Sequence, residues 1–343
     1  MTRSRPPVPT PEADATALHI GVDVGGTKIA AGVVDHSGRI LASTQRPSPA
    51  GDAVRTLDSI LDAVRELRES YEVLALGVAA AGFVDAERAV VMFAPNLAWR
   101  DEPLRDEIEQ RSQLPVVVEN DANAVAWAEA RFGAGRGESQ LVALTIGTGI
   151  GGGFVINGAV QRGRFGAAAE VGHIVMVPGG RPCPCGLQGC LEQYASGNAI
   201  LHRAQEVATT SPVLASDLLA RAGGRTDHVE GWMVTEAARA GDVASLQVFD
   251  EVGTWLGRGI AQLAAVLDPG IVVLGGGVSA AGDLLLGRVR DAFAKNLTGR
   301  GHRPSLRIEM AEFGPEAGMV GVADLARDVA APATAAAPPA PVV

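Results

Sequence analysis

Four residues of this 343-residue chain carry the atoms of a metal site. His173, Cys183, Cys185 and Cys190 give the pattern H-x9-C-x-C-x4-C. Three thiolates and an imidazole in one short loop suit tetrahedral Zn2+, and four protein ligands leave no position for water, so the expected zinc is structural. The three cysteines are the only ones in the sequence, an odd and tightly clustered set that points to metal and not to disulfides. Two acids interleave with them: Glu170 lies three residues before His173, and Glu192 two residues after Cys190. A loop closed on zinc fixes both carboxylates in place. Each can accept hydrogen bonds from adjacent sugar hydroxyls, and the second ring nitrogen of His173 can meet another. From the residues alone, a solvated acidic face is the more ordinary reading of the two glutamates.

A further acid stands at Asp121, in Glu119-Asn120-Asp121-Ala122-Asn123, where the apolar run Val116–Val118 gives way to a helix-like stretch. Asp121 is either the N-cap of that helix or a general base that takes a proton from an attacking hydroxyl.

Three glycine turns complete the inventory. Asp23-Val24-Gly25-Gly26-Thr27-Lys28 follows an apolar strand. Its glycines let backbone amides approach a phosphate; Thr27 adds a hydroxyl, Lys28 a positive charge, and Asp23 a carboxylate able to hold Mg2+ through water. The second turn, Gly147-Thr148-Gly149-Ile150-Gly151-Gly152-Gly153, has five glycines in seven residues, which suits a nest for nucleotide phosphates. The third, Gly275-Gly276-Gly277, ends a buried-type strand ahead of a helix, a position from which it can pack on adenosine. Each turn taken singly can also be a plain turn, the first as a hairpin that needs positive φ. None matches the Walker or Rossmann pattern.

The elements that must carry these residues alternate between strand and helix. Strands are expected at His19–Val24, Lys28–Val34 and Arg39–Gln45, a helix over 52–70, and strands at Leu74–Val78 and Pro115–Val118 with a helix over 122–132. Leu141–Ile146, the second turn and a return strand Phe154–Ile156 repeat the layout of the first strand–turn–strand unit. The repeat points to two related α/β halves, each offering a glycine turn to a shared cleft. A helix over 245–267 stops at Asp268-Pro269, and the strand Ile271–Leu274 runs into the third turn. The expected organisation is a tail over 1–17, an N-terminal α/β domain over 18–133, a larger C-terminal α/β domain over 134–310 with the metal loop at 173–190, a helix over 311–328 returning to the first domain, and a tail over 329–343. A hinge is expected over 133–140.

Composition narrows the function. A net charge of -10 argues against a nucleic-acid partner. The longest apolar stretch, Val73–Val84, is too short to span a bilayer. The polar N-terminus has no secretory core, so a cytoplasmic location is expected.

The three turns in this order resemble the first phosphate, second phosphate and adenosine motifs of the actin/hexokinase/Hsp70 superfamily. Leu144–Gly166, then Glu170-Val171-Gly172-His173 and the cysteine loop, resemble the signature of the ROK family (repressors, open reading frames, kinases). The resemblance covers roughly residues 18–328. Ala94-Pro95-Asn96-Leu97 and Gln193-Tyr194-Ala195-Ser196-Gly197 are similar to the actinobacterial members that phosphorylate glucose. It implies a two-domain actin-like (ribonuclease H-like) α/β fold with a cleft between the domains, and ATP-dependent phosphorylation of the 6-hydroxyl of glucose. Asp121 is then the base; Asn120, Glu170, His173 and Glu192 hold the sugar, with Gly82 and Asn96 also touching it. Asp23, Gly25, Gly26, Thr27, Lys28, Thr148, Gly149 and Gly275–Gly277 bind ATP with Mg2+, and the Cys3His loop holds zinc. Homodimers or homotetramers are implied as well. The same motifs serve kinases for N-acetylglucosamine, N-acetylmannosamine or fructose. Sugar-sensing repressors of the family carry a helix-turn-helix domain ahead of the first motif, for which the roughly twenty residues before Asp23 leave no room.

Overall fold

The computed structural model describes residues 16–330, an α/β chain that divides into two compact units. The expected tails lie outside the described residues, except for 16–17 and 329–330; the latter pair ends a short helix, Arg327–Ala330. The first unit comprises 16–128, Arg162–Ala167 and 316–330; the second comprises Glu129–Gln161 and Ala168–Pro315.

In the first unit, β1 (His19–Val24), β2 (Lys28–Val34) and β3 (Ile40–Pro47) form an antiparallel meander. Helix α1 (Ala53–Arg68) follows, started by Asp52, whose carboxylate accepts the Arg55 N–H at 3.1 Å. Leu57, Ile60, Leu61, Val64 and Leu67 recur at helical spacing and are buried against Ile20, Val22 and Val24 of β1. Such burial contributes about 1.5–3 kcal/mol per side chain. Next come β4 (Ala75–Ala80), a small antiparallel sheet of β5 (Phe83–Val84), β6 (Val91–Phe93) and β7 (Arg100–Glu102), helix α2 (Leu104–Ser112), β8 (Val116–Asn120) and α3 (Asp121–Arg131). The main sheet runs β3-β2-β1-β4-β8, with β4 and β8 parallel to β1. Its register aligns Val24 with Ala80 and Ala80 with Asn120, so the three parallel strands end level.

The opposite face of β1 presents Gly21 and Asp23, because side chains alternate along a strand. The helix Ala317–Leu325 lies on that face so closely that a β-carbon on Gly21 would come within 1.9 Å of the Met319 carbonyl oxygen, and one on Gly77 within 2.1 Å of the Val322 carbonyl oxygen. Glycine is required at both positions by the approach of backbone to backbone.

The second unit repeats the plan. Strands β9 (Gln140–Ile146), β10 (Ile150–Ile156), β11 (Ala159–Val160), β12 (Ile271–Gly275) and β13 (Arg307–Met310) run in the order β11-β10-β9-β12-β13, again antiparallel in the first three and parallel across β9, β12 and β13. Between β11 and β12 lie α4 (Glu192–Ala195), α5 (Gly197–Thr210), α6 (Ser216–Arg221), α7 (Gly231–Arg239) and α8 (Val243–Leu267), and α9 (Asp283–Asn296) precedes β13. The two sheets share strand order and direction, as the repeat in the sequence implies. No helix among the described residues is long and apolar enough to cross a membrane.

Most elements shift by one or two residues at an end, and three differences bear on the site. The second glycine turn is only Gly147-Thr148-Gly149, and β10 starts at Ile150 instead of Phe154. Gly152 lies inside that strand because a β-carbon there would sit 2.4 Å from the Ala169 carbonyl oxygen. The strands expected at Leu74–Val78 and Pro115–Val118 extend to Ala80 and Asn120, which carries them to the level where the candidate base begins its helix.

Candidate active site

At the level end of β1, β4 and β8, where open α/β sheets bind their ligands, the expected residues of the first unit gather. Asn120 ends β8 and caps α3, its Oδ1 accepting the Asn123 N–H at 3.0 Å. The cap is therefore Asn120, and the N-cap reading of Asp121 falls. Asp121 opens the helix, with its Oδ1 accepting the Ala122 N–H at 2.9 Å and the Asn120 amide at 3.1 Å. The same Asn120 amide donates to the Gly82 carbonyl at 3.1 Å. Burial holds the Asp121 carboxyl above the usual carboxylate range, against the pull of those hydrogen bonds. Asp23 is pushed up to about 7, by burial first and by the charge of Asp121 second, with Lys28 opposing. A buried carboxyl raised further by a neighbouring carboxyl is the kind of group found at functional sites.

Gly25 and Gly26 follow, the Gly25 N–H donating to the Lys28 carbonyl at 3.0 Å, while Thr27 and Lys28 are exposed. The turn joins the β1–β2 hairpin, yet neither glycine takes a positive φ, so positive φ does not account for them. A β-carbon on Gly26 would lie 3.2 Å from Asn96, which brings Asn96 beside the turn.

The remaining residues gather in the second unit. Gly147 closes its turn by donating to the Gly149 carbonyl at 3.0 Å. Glu192 lies directly behind Gly149: its Oε2 accepts the Ile150 N–H at 2.9 Å, and a β-carbon on Gly149 would come within 2.2 Å of that oxygen. Thr148 is exposed at the tip. Gly276 has φ +82° and backs onto Ile146, the residue before the turn, so the second and third turns adjoin. Gly275 is buried and Gly277 exposed.

His173, Cys183, Cys185 and Cys190 come together with all their ligand atoms within 4.8 Å of one another. Cys185 and Cys190 Sγ are 3.7 Å apart, and Cys183 Sγ is 3.7 Å from His173 Nδ1. A tetrahedron with zinc–sulfur bonds of about 2.3 Å separates two sulfurs by roughly 3.8 Å, so these residues can hold a zinc ion. The loop is shaped for it by a turn in which Cys183 accepts the Gly186 N–H at 3.0 Å and donates to the Leu187 carbonyl at 2.9 Å. With Nδ1 on the metal side, His173 Nε2 faces Glu170 Oε2 at 3.9 Å. Glu170 is exposed, on the side of the ring away from the cysteines.

One feature had no role in the sequence reading. Glu119, 1% exposed, stands among the valines of β8 and bonds to the groups around Asn120. The signal was present: a charged residue at a buried position of an otherwise apolar strand has to be paired.

Residues 19–329 match the ROK family. The chain is 47% identical to a glucokinase of Streptomyces coelicolor over 91% of its length and 98% of that protein. It is 38% identical to a glucokinase of Thermotoga maritima, over 79% of the chain and 86% of the relative. Its structure is similar to that of a ROK family glucokinase from Streptomyces griseus in complex with glucose and AMPPNP, with a TM-score of 0.84 and 50% identity over 91% of this chain and all of that one.

Proposed function

The chain belongs to the ROK family, and on that premise we propose that it transfers the γ-phosphoryl group of ATP to the 6-hydroxyl of glucose, giving glucose 6-phosphate and ADP. The observation that carries the chemistry is Asp121, a carboxyl at the level end of three parallel strands, held by Asn120 and the first helical amide. It takes the proton of the 6-hydroxyl as that oxygen attacks phosphorus, an effect worth about 10²–10⁴ in rate. Asn120, Gly82 and Asn96 in the first unit, and Glu170, His173 Nε2 and Glu192 in the second, are assigned to the sugar. Glu192 has one oxygen committed to Ile150, which leaves Oε1 for a hydroxyl.

Gly25, Gly26, Thr27 and Lys28, with Thr148 and Gly149, are assigned to the phosphates, and Gly275–Gly277 to the adenosine. A β-carbon on Gly147 would meet no protein atom within 4 Å, so neither packing nor positive φ accounts for glycine there, and approach by a phosphate does. Asp23 would hold Mg2+ through water, and the ion would neutralise charge on the transferring group. Zinc on His173, Cys183, Cys185 and Cys190 would keep Glu170 and Glu192 in place. Cytoplasmic location and assembly as a homodimer or homotetramer belong to the same proposal; the first rests on cysteines all drawn into a metal-type cluster, the second on family resemblance.

A coupled assay with ATP across the hexoses tests the substrate. The kcat/KM for glucose is expected to be at least tenfold above those for N-acetylglucosamine, N-acetylmannosamine and fructose. Preference for an acetamido sugar would overturn the assignment to glucose.

A further inference from the structure

Glu119 divides its carboxylate between two tasks. Oε1 accepts the Asn120 N–H at 3.2 Å and the Asn123 side-chain amide at 3.0 Å. These are the residues that form the corner between β8 and α3, from which Asp121 projects. Oε2 accepts Nε and Nη2 of Arg162 at 2.7 and 2.5 Å, with Arg88 Nε at 3.4 Å. Arg162 opens the segment Arg162–Ala167, which belongs to the first unit although the chain on both sides of it belongs to the second. The segment is seated firmly: a β-carbon on Gly166 would come within 2.0 Å of the Val84 carbonyl oxygen. Three residues beyond its end stands Glu170.

A buried ion pair is a poor choice for stability alone, since desolvating both charges offsets their attraction. A fourth valine at position 119 would complete the run Val116–Val118 without that cost. Arg88 sharpens the point, because its Nε and Nη2 are buried and hydrogen-bond to nothing among the described residues. Two guanidinium groups thus surround a carboxylate whose other oxygen grips the corner under the candidate base.

We propose that Glu119 and Arg162 are positioning residues of the phosphoryl transfer. Arg162 fixes the Glu119 carboxylate, Glu119 fixes the Asn120–Asn123 corner, and the corner sets the direction of Asp121. Because the chain runs from Arg162 to Glu170 in eight residues, the same clasp ties the segment leading to a sugar-holding acid to the strand that carries the base. The proposal rests on the assignment of Asp121 as base.

The test compares Glu119→Gln, Arg162→Ala and Arg162→Lys in the full chain, with kcat and both KM values measured per folded, zinc-containing molecule. Glu119→Gln and Arg162→Ala are expected to lower kcat about 10- to 100-fold while KM for ATP stays within about twofold. Arg162→Lys keeps the charge but loses the fork; its kcat is expected to fall only about three- to tenfold, a partial rescue that follows catalysis and not thermal stability. If the first two variants fail to fold, Arg162→Lys decides the matter. A kcat within twofold of wild type in every variant that folds overturns the proposal, as does equal loss in Arg162→Lys and Arg162→Ala that parallels loss of Tm. Activity retained by Asp121→Asn would instead remove the base assignment. An inactive Asp121→Asn beside fully active Glu119 and Arg162 variants would remove only the positioning role.

Discussion

The two glycine turns join equivalent strands of two sheets with the same order and direction, yet their surroundings differ. The first is flanked by charge: Asp23 before it, Lys28 after it and Asp121 near enough to raise Asp23. The second has no ionisable residue of its own and takes its acid from elsewhere, through Glu192 pressed against Gly149. In the first unit the acids stand on or beside the ends of strands and are held by the sheet register. In the second, Glu192 opens α4 and accepts the Ile150 N–H, while Glu170 stands beside His173 of the candidate metal cluster. One fold plan was used twice, with the acids at the ends of parallel strands in one copy and flanking the candidate metal ligands in the other.

The sharpest way to break this contrast is Asp121→Asn. Turnover is expected to fall about 10³-fold while glucose still binds by calorimetric titration; near-normal turnover would remove Asp121 from its role. The amide keeps the hydrogen bonds from Ala122 and Asn120 without a buried charge, so Tm is expected to rise. The raised pKa of Asp121 also sets the pH profile. The base must be ionised, so kcat/KM is expected to fall as pH drops through a midpoint above the ordinary aspartate value of 3.8; an acid limb at or below that value would contradict the burial argument.

Cys190→Ser tests the other copy. It should abolish an otherwise roughly 1:1 zinc content by metal analysis and raise KM for glucose about 10- to 100-fold, through loss of the held positions of Glu170 and Glu192. KM for ATP should change less. A zinc-free chain with unchanged KM for glucose would show that the loop does not need the metal.

A smaller effect is expected from Gly147→Ala, whose β-carbon meets no protein atom within 4 Å. Tm should hold while KM for ATP rises about tenfold, the loss of one charge-assisted hydrogen bond. An unchanged KM would return this turn to a plain hairpin.

A separate effect, away from the site, concerns stability in the first unit. His19 on β1 is 3% exposed, and its pKa is pushed down from 6.5 to about 4, by burial first and by Arg327 second. Between those values the unfolded chain binds a proton that the folded chain does not. Stability is therefore full above pH 6.5 and falls as pH drops toward 4, by up to about 3 kcal/mol. Urea midpoints against pH should lose that slope in His19→Gln; an unaltered slope would assign it to other groups.

Much of this was legible in the sequence. The α/β class, the repeated strand–turn–strand layout and the spacing of the Cys3His loop all follow from local pattern. What could not be read were features created by approach in space. Gly21, Gly77 and Gly152 are glycines because another part of the chain's backbone passes within about 2 Å of where a β-carbon would be, and no local pattern announces that. Asn120 displaced Asp121 as helix cap because β8 runs two residues further than its apolar run, carried by pairing with β4. Glu119 needed Arg162, 43 residues away, before its burial made sense.

The helix Ala317–Leu325 has a consequence for biosynthesis. It covers the face of β1 and β4 that carries Gly21 and Gly77. A ribosome making this chain at roughly 5–20 residues per second leaves that face without its cover for about 12 to 50 seconds after β4 has emerged. The strands and helices of the second unit all precede residue 316, so they emerge before that cover does. The unit that is begun first is thus the one finished last, and its aggregation-prone interval ends only when the helix Ala317–Leu325 docks.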